Sequence, residues 1–345
     1  MTAVRIGING FGRIGRTVFR IVHERDDIEV VVINDLFDNA QLAYLLKYDT
    51  VMGVFPGEVG YDPDYLYVDG RKKSKVLMTA ERDPAAIPWG KNGVDFVIES
   101  TGVFARRADL EKHLAAGAKK VILTVPARDE IDAMIVVGVN DATLLPEHRL
   151  VSNASCTTNC LAPIAKILDD SFEIESGLMT TVHAYTNDQR LADVPHKDLR
   201  RSRAAAENII PTTTGAAKAV GKVLPRLKGK LDGLAMRVPV PDGSVVDLAC
   251  KLRSTPSRDE VNAAVRDAAA GPLRNIVEYS EEALVSTDIV GNSHSSIFDA
   301  LSTQAGDGWA RVVAWYDNEW GYSNRVIDLL MLHAFREVPV EARVK

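Results

Sequence analysis

The run Val4-Arg5-Ile6-Gly7-Ile8-Asn9 leads directly into Gly10-Phe11-Gly12-Arg13-Ile14-Gly15, and a helical pattern follows through Val22. Strand, G-x-G-x-x-G and helix in that order leave few folds open. The first glycine permits a tight turn. The second lets the backbone approach a pyrophosphate, and the third lets helix and strand pack closely. The helix N-terminus then points its free amides at the phosphates. A second apolar run, Ile28 to Ile33, ends in Asn34-Asp35. An acidic residue about 20 residues past the glycines can accept hydrogen bonds from both hydroxyls of an adenosine ribose. The same carboxylate repels a 2'-phosphate, which predicts NAD rather than NADP.

Further short apolar runs, Val94–Ile98 and Lys120–Thr124, are bounded by turns, as parallel strands are. Glu99-Ser100-Thr101-Gly102 closes the first of them. Ligand-contacting loops lie at such carboxyl ends in an open α/β sheet. The stretch from Asp49 to Pro88 is turn-rich and reads as hairpins and loops. A chain of 345 residues has room for two domains. Its net charge of -6 argues against a primary nucleic-acid or anionic-membrane partner. No apolar run reaches the roughly 18 residues of a membrane span. The strand pattern begins at once, with no sign of a leader, and three cysteines without framework spacing point to a reducing compartment, the cytoplasm. Cys156 and Cys160 make a C-x-x-x-C pair with no second pair, a poor metal site, so no metal is expected.

The second half carries the reactive side chains. Ser155-Cys156-Thr157-Thr158-Asn159-Cys160 follows the strand-like Arg149-Leu150-Val151 and opens an apolar helical pattern. A thiol at a helix N-terminus feels the positive end of the dipole, which favours the nucleophilic thiolate. Thr180 to Thr186 reads as a strand ending at His183, a position suited to a general base. Residues 188–230 hold ten Lys/Arg against four Asp/Glu, Arg200, Arg201 and Arg203 among them, and suggest an anion site. Pro211-Thr212-Thr213-Thr214-Gly215-Ala216-Ala217-Lys218 reads as a helix opening that could cradle a phosphate. Trp315 to Ser323 reads as a polar-aromatic loop before an apolar helix, Val326 to Phe335.

Four of these segments together carry a resemblance: Ser-Cys-Thr-Thr-Asn-Cys, His-Ala-Tyr-Thr-Asn-Asp-Gln, Pro-Thr-Thr-Thr-Gly-Ala-Ala-Lys and Trp-Tyr-Asp-Asn-Glu-Trp-Gly-Tyr. In that order, from Ile6 to about Leu332, the chain resembles the phosphorylating glyceraldehyde-3-phosphate dehydrogenases. The resemblance implies an α/β protein with a Rossmann dinucleotide-binding domain (1–155) and an α/β catalytic domain with a large mixed sheet (156–320). A C-terminal helix (321–345) would return to the first domain. It also implies a homotetramer that oxidises an aldehyde to an acyl phosphate with NAD.

Site residues follow by motif. Cys156 would be the nucleophile and His183 its base. Thr186 and Arg237 would hold the C3 phosphate of glyceraldehyde 3-phosphate. Ser155, Thr157, Thr214 and Gly215, with Arg200 nearby, would line the site of attacking inorganic phosphate. Asn318 would orient the nicotinamide amide, and Tyr322 would pack near that ring. Gly10, Phe11, Gly12, Arg13, Ile14, Gly15, Asn34, Asp35, Arg82, Ser100, Thr101, Gly102 and Thr124 would contact the rest of the cofactor. Thr124 stands where many members have serine. Residues 189–196 resemble the family's S-shaped interface loop, and Pro195 matches the NAD-linked members. Val240-Pro241-Asp242-Gly243-Ser244 departs from the commoner Asn-Val-Ser version of that turn. Two alternatives are an erythrose-4-phosphate dehydrogenase, which usually lacks the Tyr185-Thr186-Asn187 run and the threonine cradle, and an RNA-binding or scaffold role on the same fold. The intact residue set and the acidic charge favour the triose phosphate enzyme.

Overall fold

The computed structural model describes residues 3–336. The chain forms two compact units. One comprises residues up to Ile135, Asp141–Ala154 and those from Ser323 onward; the other comprises Val136–Asn140 and Ser155–Tyr322.

In the first unit, β1 (Val4–Asn9) leads into α1 (Arg13–His23) and then β2 (Ile28–Asn34). Next come α2 (Asn39–Lys47), β3 (Glu58–Tyr61), β4 (Tyr65–Asp69) and β5 (Lys73–Thr79). They are followed by β6 (Phe96–Glu99), α3 (Arg107–Ala115), β7 (Lys120–Leu123), β8 (Ala133–Met134) and β9 (Leu150–Ser152). The nine strands run in the order β3-β4-β5-β2-β1-β6-β7-β9-β8. β1 lies parallel to β2 on one side and to β6 on the other. This is the switch point of an open parallel sheet, and the crevice beyond the strand ends there is the usual ligand position. The turn-rich stretch folds as the antiparallel ribbon β3-β4-β5. Val32, Val97, Val121 and Leu123 pack with Trp89 and Leu110 into one buried cluster. Strands covered on both faces need such unbroken apolar runs.

The second unit opens with α4 (Cys156–Phe172), followed by β10 (Ile174–Ala184), β11 (Ile210–Thr213), α5 (Ala216–Val223), β12 (Leu231–Val238) and β13 (Ser244–Leu252). It continues with α6 (Arg258–Ala270), β14 (Val277–Ser280), β15 (Ser296–Gly306) and β16 (Trp309–Tyr316). The mixed sheet has the order β11-β12-β10-β13-β16-β15-β14. Alternation on β10 buries Met179, Thr181 and His183 and leaves Leu178 exposed. α4 packs against β10, β13, β15 and β16.

Two local expectations are corrected. Residues 210–213 form β11, paired antiparallel with β12, and the helix after them starts only at Ala216. Sheet pairing therefore takes residues 210–213 out of the expected helix opening. The last helix, α7 (Trp320–Arg336), begins before Val326 because Asp317 Oδ1 accepts from the amides of Glu319 (2.8 Å) and Trp320 (2.6 Å). That carboxylate satisfies amides that a helix start leaves free. Of the expected C-terminal helix, residues 337–345 lie outside the described residues.

Candidate functional site

In the first unit the glycine turn has little steric freedom. Gly10 has φ +90°, and a Cβ there would sit 2.7 Å from the Thr101 amide nitrogen. A Cβ on Gly15 would sit 2.2 Å from the Gly10 carbonyl oxygen. Both positions need glycine. Gly12, by contrast, has open space where its Cβ would lie, on the lining of a cavity of about 460 Å³. Asn34, Asp35, Arg82, Ser100 and Thr101 line the same cavity. A wide opening over backbone amides and beside a carboxylate fits the pyrophosphate and ribose of a dinucleotide.

The side chains around this cavity are held from below. Asp35 Oδ2 accepts from the Phe11 amide at 2.7 Å and so ties the end of β2 to the glycine turn. Ser100 Oγ donates to Gly10 O at 2.7 Å. Asn34 Nδ2 donates to Asn9 Oδ1 (2.9 Å), and Asn9 Nδ2 donates to Glu99 Oε2 (2.6 Å). Trp89 Nε1 donates to His113 Nδ1 at 3.0 Å, which leaves the ring proton on Nε2 to meet Glu99 Oε2 at 2.9 Å. Sequence reasoning missed Asn9, Glu99 and His113, because the network joins four separate elements. Several of the expected contact residues also have partners within the protein. Arg13 pairs with Asp49. Thr124 is buried with its hydroxyl on Glu99 O at 3.0 Å. Thr101 Oγ1 bonds Glu99 Oε1 at 2.5 Å. Phe11 is buried in the core, where its amide rather than its ring faces Asp35. Ile14 lies in the first turn of α1, and Gly102, at φ +71°, lies beyond Thr101 with open space at its Cβ position.

In the second unit Ser155 caps α4, accepting from the Thr158 amide at 3.1 Å, and this cap sets Cys156 at the first helical position. Cys156 Sγ lies 3.5 Å from His183 Nε2. The other ring nitrogen, Nδ1, meets Ala184 O at 2.7 Å and Arg237 Nη1 at 2.7 Å. Arg237 sits opposite His183 because β10 and β12 pair in that register. Tyr316 closes the site from behind. Its hydroxyl bonds Thr157 Oγ1 and Thr181 Oγ1, both at 2.8 Å, and its ring meets the imidazole edge-on. Tyr316 and Thr181 were not singled out from sequence. Thr181 carried a usable signal, standing two residues before His183 on one strand face.

The environment of the pair acts against the expected thiolate. Burial pushes the Cys156 thiol up, opposed only in part by Arg237 and by bonds from Thr157. Burial, and then Arg237, push His183 down to about 3. Both shifts work against an ion pair between the thiol and the imidazole. Desolvation penalises both charged forms.

The remaining candidates spread over several loops. Thr186 Oγ1 bonds Asp188, which pairs in turn with Arg201. Arg203 pairs with Asp193, and Arg226 with Asp169 and Asp170, so part of the local basic excess is neutralised. Arg200 is exposed, with its amide on Asp198 Oδ1 at 2.9 Å. Thr214 Oγ1 accepts from the Ala216 amide at 3.2 Å, and Gly215 takes the N-cap position of α5. Asn318 Oδ1 accepts from Ser244 Oγ at 2.5 Å, which leaves its amide NH2 to offer. Tyr322 is buried in the first turn of α7. Among the described residues no cluster of three His, Cys, Asp or Glu is placed to hold a metal ion, and no helix is long and apolar enough to cross a membrane.

The dinucleotide-binding sheet of one unit and the thiol–imidazole pair of the other define the class: an NAD-dependent dehydrogenase. Residues 4–107 match the family model of the glyceraldehyde 3-phosphate dehydrogenase NAD-binding domain, and residues 155–318 match that of its C-terminal domain. Similar proteins include the glyceraldehyde-3-phosphate dehydrogenase of Streptomyces coelicolor, 60% identical over 94% of this chain and 97% of the relative. That of Mycobacterium tuberculosis is 57% identical over 95% of this chain and 98% of the relative. Glyceraldehyde-3-phosphate dehydrogenase 1 of Bacillus subtilis is 58% identical over 95% and 97%. The chain belongs to the glyceraldehyde-3-phosphate dehydrogenase family.

Proposed function

We propose that this protein oxidises glyceraldehyde 3-phosphate to 1,3-bisphosphoglycerate with reduction of NAD, through a thioester on Cys156. The observation that carries the reading is the 3.5 Å approach of Cys156 Sγ to His183 Nε2 in a family member with an open glycine-turn cavity. Bound NAD supplies the hydride acceptor. Cys156 Sγ adds to the aldehyde carbon while its proton passes through His183 Nε2 to the former carbonyl oxygen, which gives a hemithioacetal and leaves the imidazole neutral again. As the C–H electron pair leaves, His183 Nε2 acts as base for the hydroxyl proton, and a thioester remains. Oxygen of inorganic phosphate then attacks the thioester carbonyl, and the sulfur departs as the acyl phosphate forms.

Arg237 and Thr186 take the C3 phosphate. Arg237 Nε is buried without a partner, a spare donor beside the nucleophile. Ser155, Thr157, Thr214, Gly215 and Arg200 serve the attacking phosphate. The glycine turn with its flanking residues (Gly10 to Gly15), Asn34, Asp35, Arg82, the Ser100–Gly102 loop and Thr124 hold the dinucleotide, with Asn318 and Tyr322 at the nicotinamide. Residues 1–155 form the cofactor domain and 156–320 the catalytic domain. The segment from 321 returns to the cofactor domain, a reading supported by the Lys120 Nζ contact with His333 at 3.1 Å.

The working protein is a cytoplasmic homotetramer. Two exposed apolar patches support the assembly. Leu178 and Leu234 share one sheet face, since Leu234 pairs with Thr180, and Leu191, Val194 and Leu199 crowd the 190s loop. Two separate patches suit the distinct interfaces of a dihedral tetramer. A steady-state assay at 340 nm tests the activity. NADH must form from glyceraldehyde 3-phosphate only when phosphate is present. Equal rates without phosphate, or with erythrose 4-phosphate as the better substrate, refute the reading.

A further inference from the structure

We propose that Asp242 is a positioning residue for Asn318: it stands as a neutral carboxylic acid that donates from Oδ2 to the Asp317 carboxylate. Both side chains are almost fully buried, with 2% and 1% of their surface exposed. Asp242 Oδ1 accepts from the Gly243 amide at 2.8 Å. Its Oδ2 is enclosed, and no protein donor reaches it. An ionised carboxylate left so bare in the interior is expensive. Asp317 is in the opposite situation. Its Oδ1 accepts from Glu319 and Trp320 amides, and its Oδ2 accepts from the Gly291 amide at 2.7 Å. Three backbone donors already occupy the Asp317 oxygens, whereas Asp242 Oδ2 has no donor, and two adjacent acids that share one proton hold it where no other partner stands. The proton therefore stays on Asp242. The groups facing it are Asp317 and Glu319 from the turn after β16 and the Cys156 thiol from α4. Burial and the two acids push the Asp242 carboxyl up to about 9.

Asn318 follows Asp317, and Ser244 lies two residues past Asp242. Ser244 Oγ donates to Asn318 Oδ1 at 2.5 Å and accepts from the Ala184 amide at 3.0 Å. The 242–244 turn thus grips the 317–318 turn at two points, and Asp242 supplies one of them. Loss of its proton replaces a hydrogen bond with a pair of like charges and drives the turns apart. The effect on the cofactor rests on Asn318 meeting the nicotinamide amide, as proposed above.

Two measurements on the full-length protein test this. The first is the infrared difference spectrum between wild type and Asp242→Asn near neutral pH. A protonated-carboxyl carbonyl band present only in the wild type is expected, and its absence overturns the proposal whatever the cofactor does. The second is calorimetric titration with NAD at about pH 7.5 and about pH 9.5. Wild-type affinity should fall about fourfold over that span, as roughly three-quarters of Asp242 ionises. Asp242→Asn, whose amide donates at every pH, should stay within about twofold of the neutral wild-type value. Asp242→Ala, with no donor, should bind NAD weakly even near neutrality. A parallel fall in wild type and Asp242→Asn overturns the positioning role. No NAD binding by the wild type at either pH overturns the cofactor reading and the role resting on it, while the infrared band still decides the shared proton.

Discussion

Arg237 Nη1 stands 2.7 Å from His183 Nδ1 and 3.0 Å from the Ala184 carbonyl oxygen, which the same ring nitrogen reaches at 2.7 Å. The three contacts cannot all be hydrogen bonds at once. A guanidinium only donates, so facing it Nδ1 must accept, and the ring proton then sits on Nε2 toward Cys156. When Nδ1 instead donates to Ala184 O, Nε2 turns its lone pair to the thiol and can act as base. An anion that draws Arg237 aside favours the second tautomer.

Removing the guanidinium should therefore change both substrate binding and the imidazole. Arg237→Ala should raise KM for glyceraldehyde 3-phosphate at least tenfold, as expected for a lost charge-assisted phosphate contact of about 1.5–3 kcal/mol. It should also move the His183 titration upward from about 3, because one cause of its depression is gone. NMR of the imidazole measures this. An unmoved midpoint would show that Arg237 does not act on the ring.

Cys156 should be the first cysteine to react, yet not as a preformed thiolate. Cys160 and Cys250 are buried, and burial pushes both up to about 12. Iodoacetamide should label Cys156 first, at a rate that climbs with pH through the neutral range. A rate that is flat from about pH 6 to about pH 8 would mean a standing ion pair with His183. Cys156→Ser should abolish turnover while NAD binding survives.

The neutral imidazole also has a stability consequence. Folded His183 titrates at about 3 against an ordinary 6.5. Between those values the unfolded chain binds a proton that the folded chain refuses. Its contribution is therefore intact above about pH 6.5 and is lost as pH falls toward 3. His183→Asn should flatten the decline of Tm with acidification over that window. Curves with the same slope for both proteins would count against the assignment.

Asp35 should decide cofactor choice, but its substitution carries a second effect. The carboxylate accepts from the Phe11 amide within the glycine turn at 2.7 Å. Asp35→Ala should thus weaken NAD by both routes while shifting the ratio of kcat/KM values toward NADP. Asp35→Asn keeps an acceptor for Phe11 and should shift the ratio with less damage to NAD. If the wild type already uses the two cofactors equally well, Asp35 does not read the ribose.

Much of the first unit was legible in the sequence, because its signals are local. A glycine turn forbids side chains for reasons of backbone geometry and close approach, so Gly10 and Gly15 mark their own positions. Apolar runs such as Val30 to Ile33 announce strands covered on both faces. The helix start at Cys156 could also be read, since the serine cap lies next to it in the chain. Tertiary structure decided the rest. Pro211 to Thr213 carry hydroxyls and a proline suited to a helix entrance, but pairing with β12 made them a strand. The support of Tyr316 for Thr157 and Thr181, and of Ser244 for Asn318, joins residues far apart in sequence. The surroundings that bear on the charge of the thiol and imidazole were decided there too. Residue type and a helix dipole favour a thiolate, but ionisation in a folded protein depends on how much water and which charges surround the group. Those are fixed only when distant segments pack.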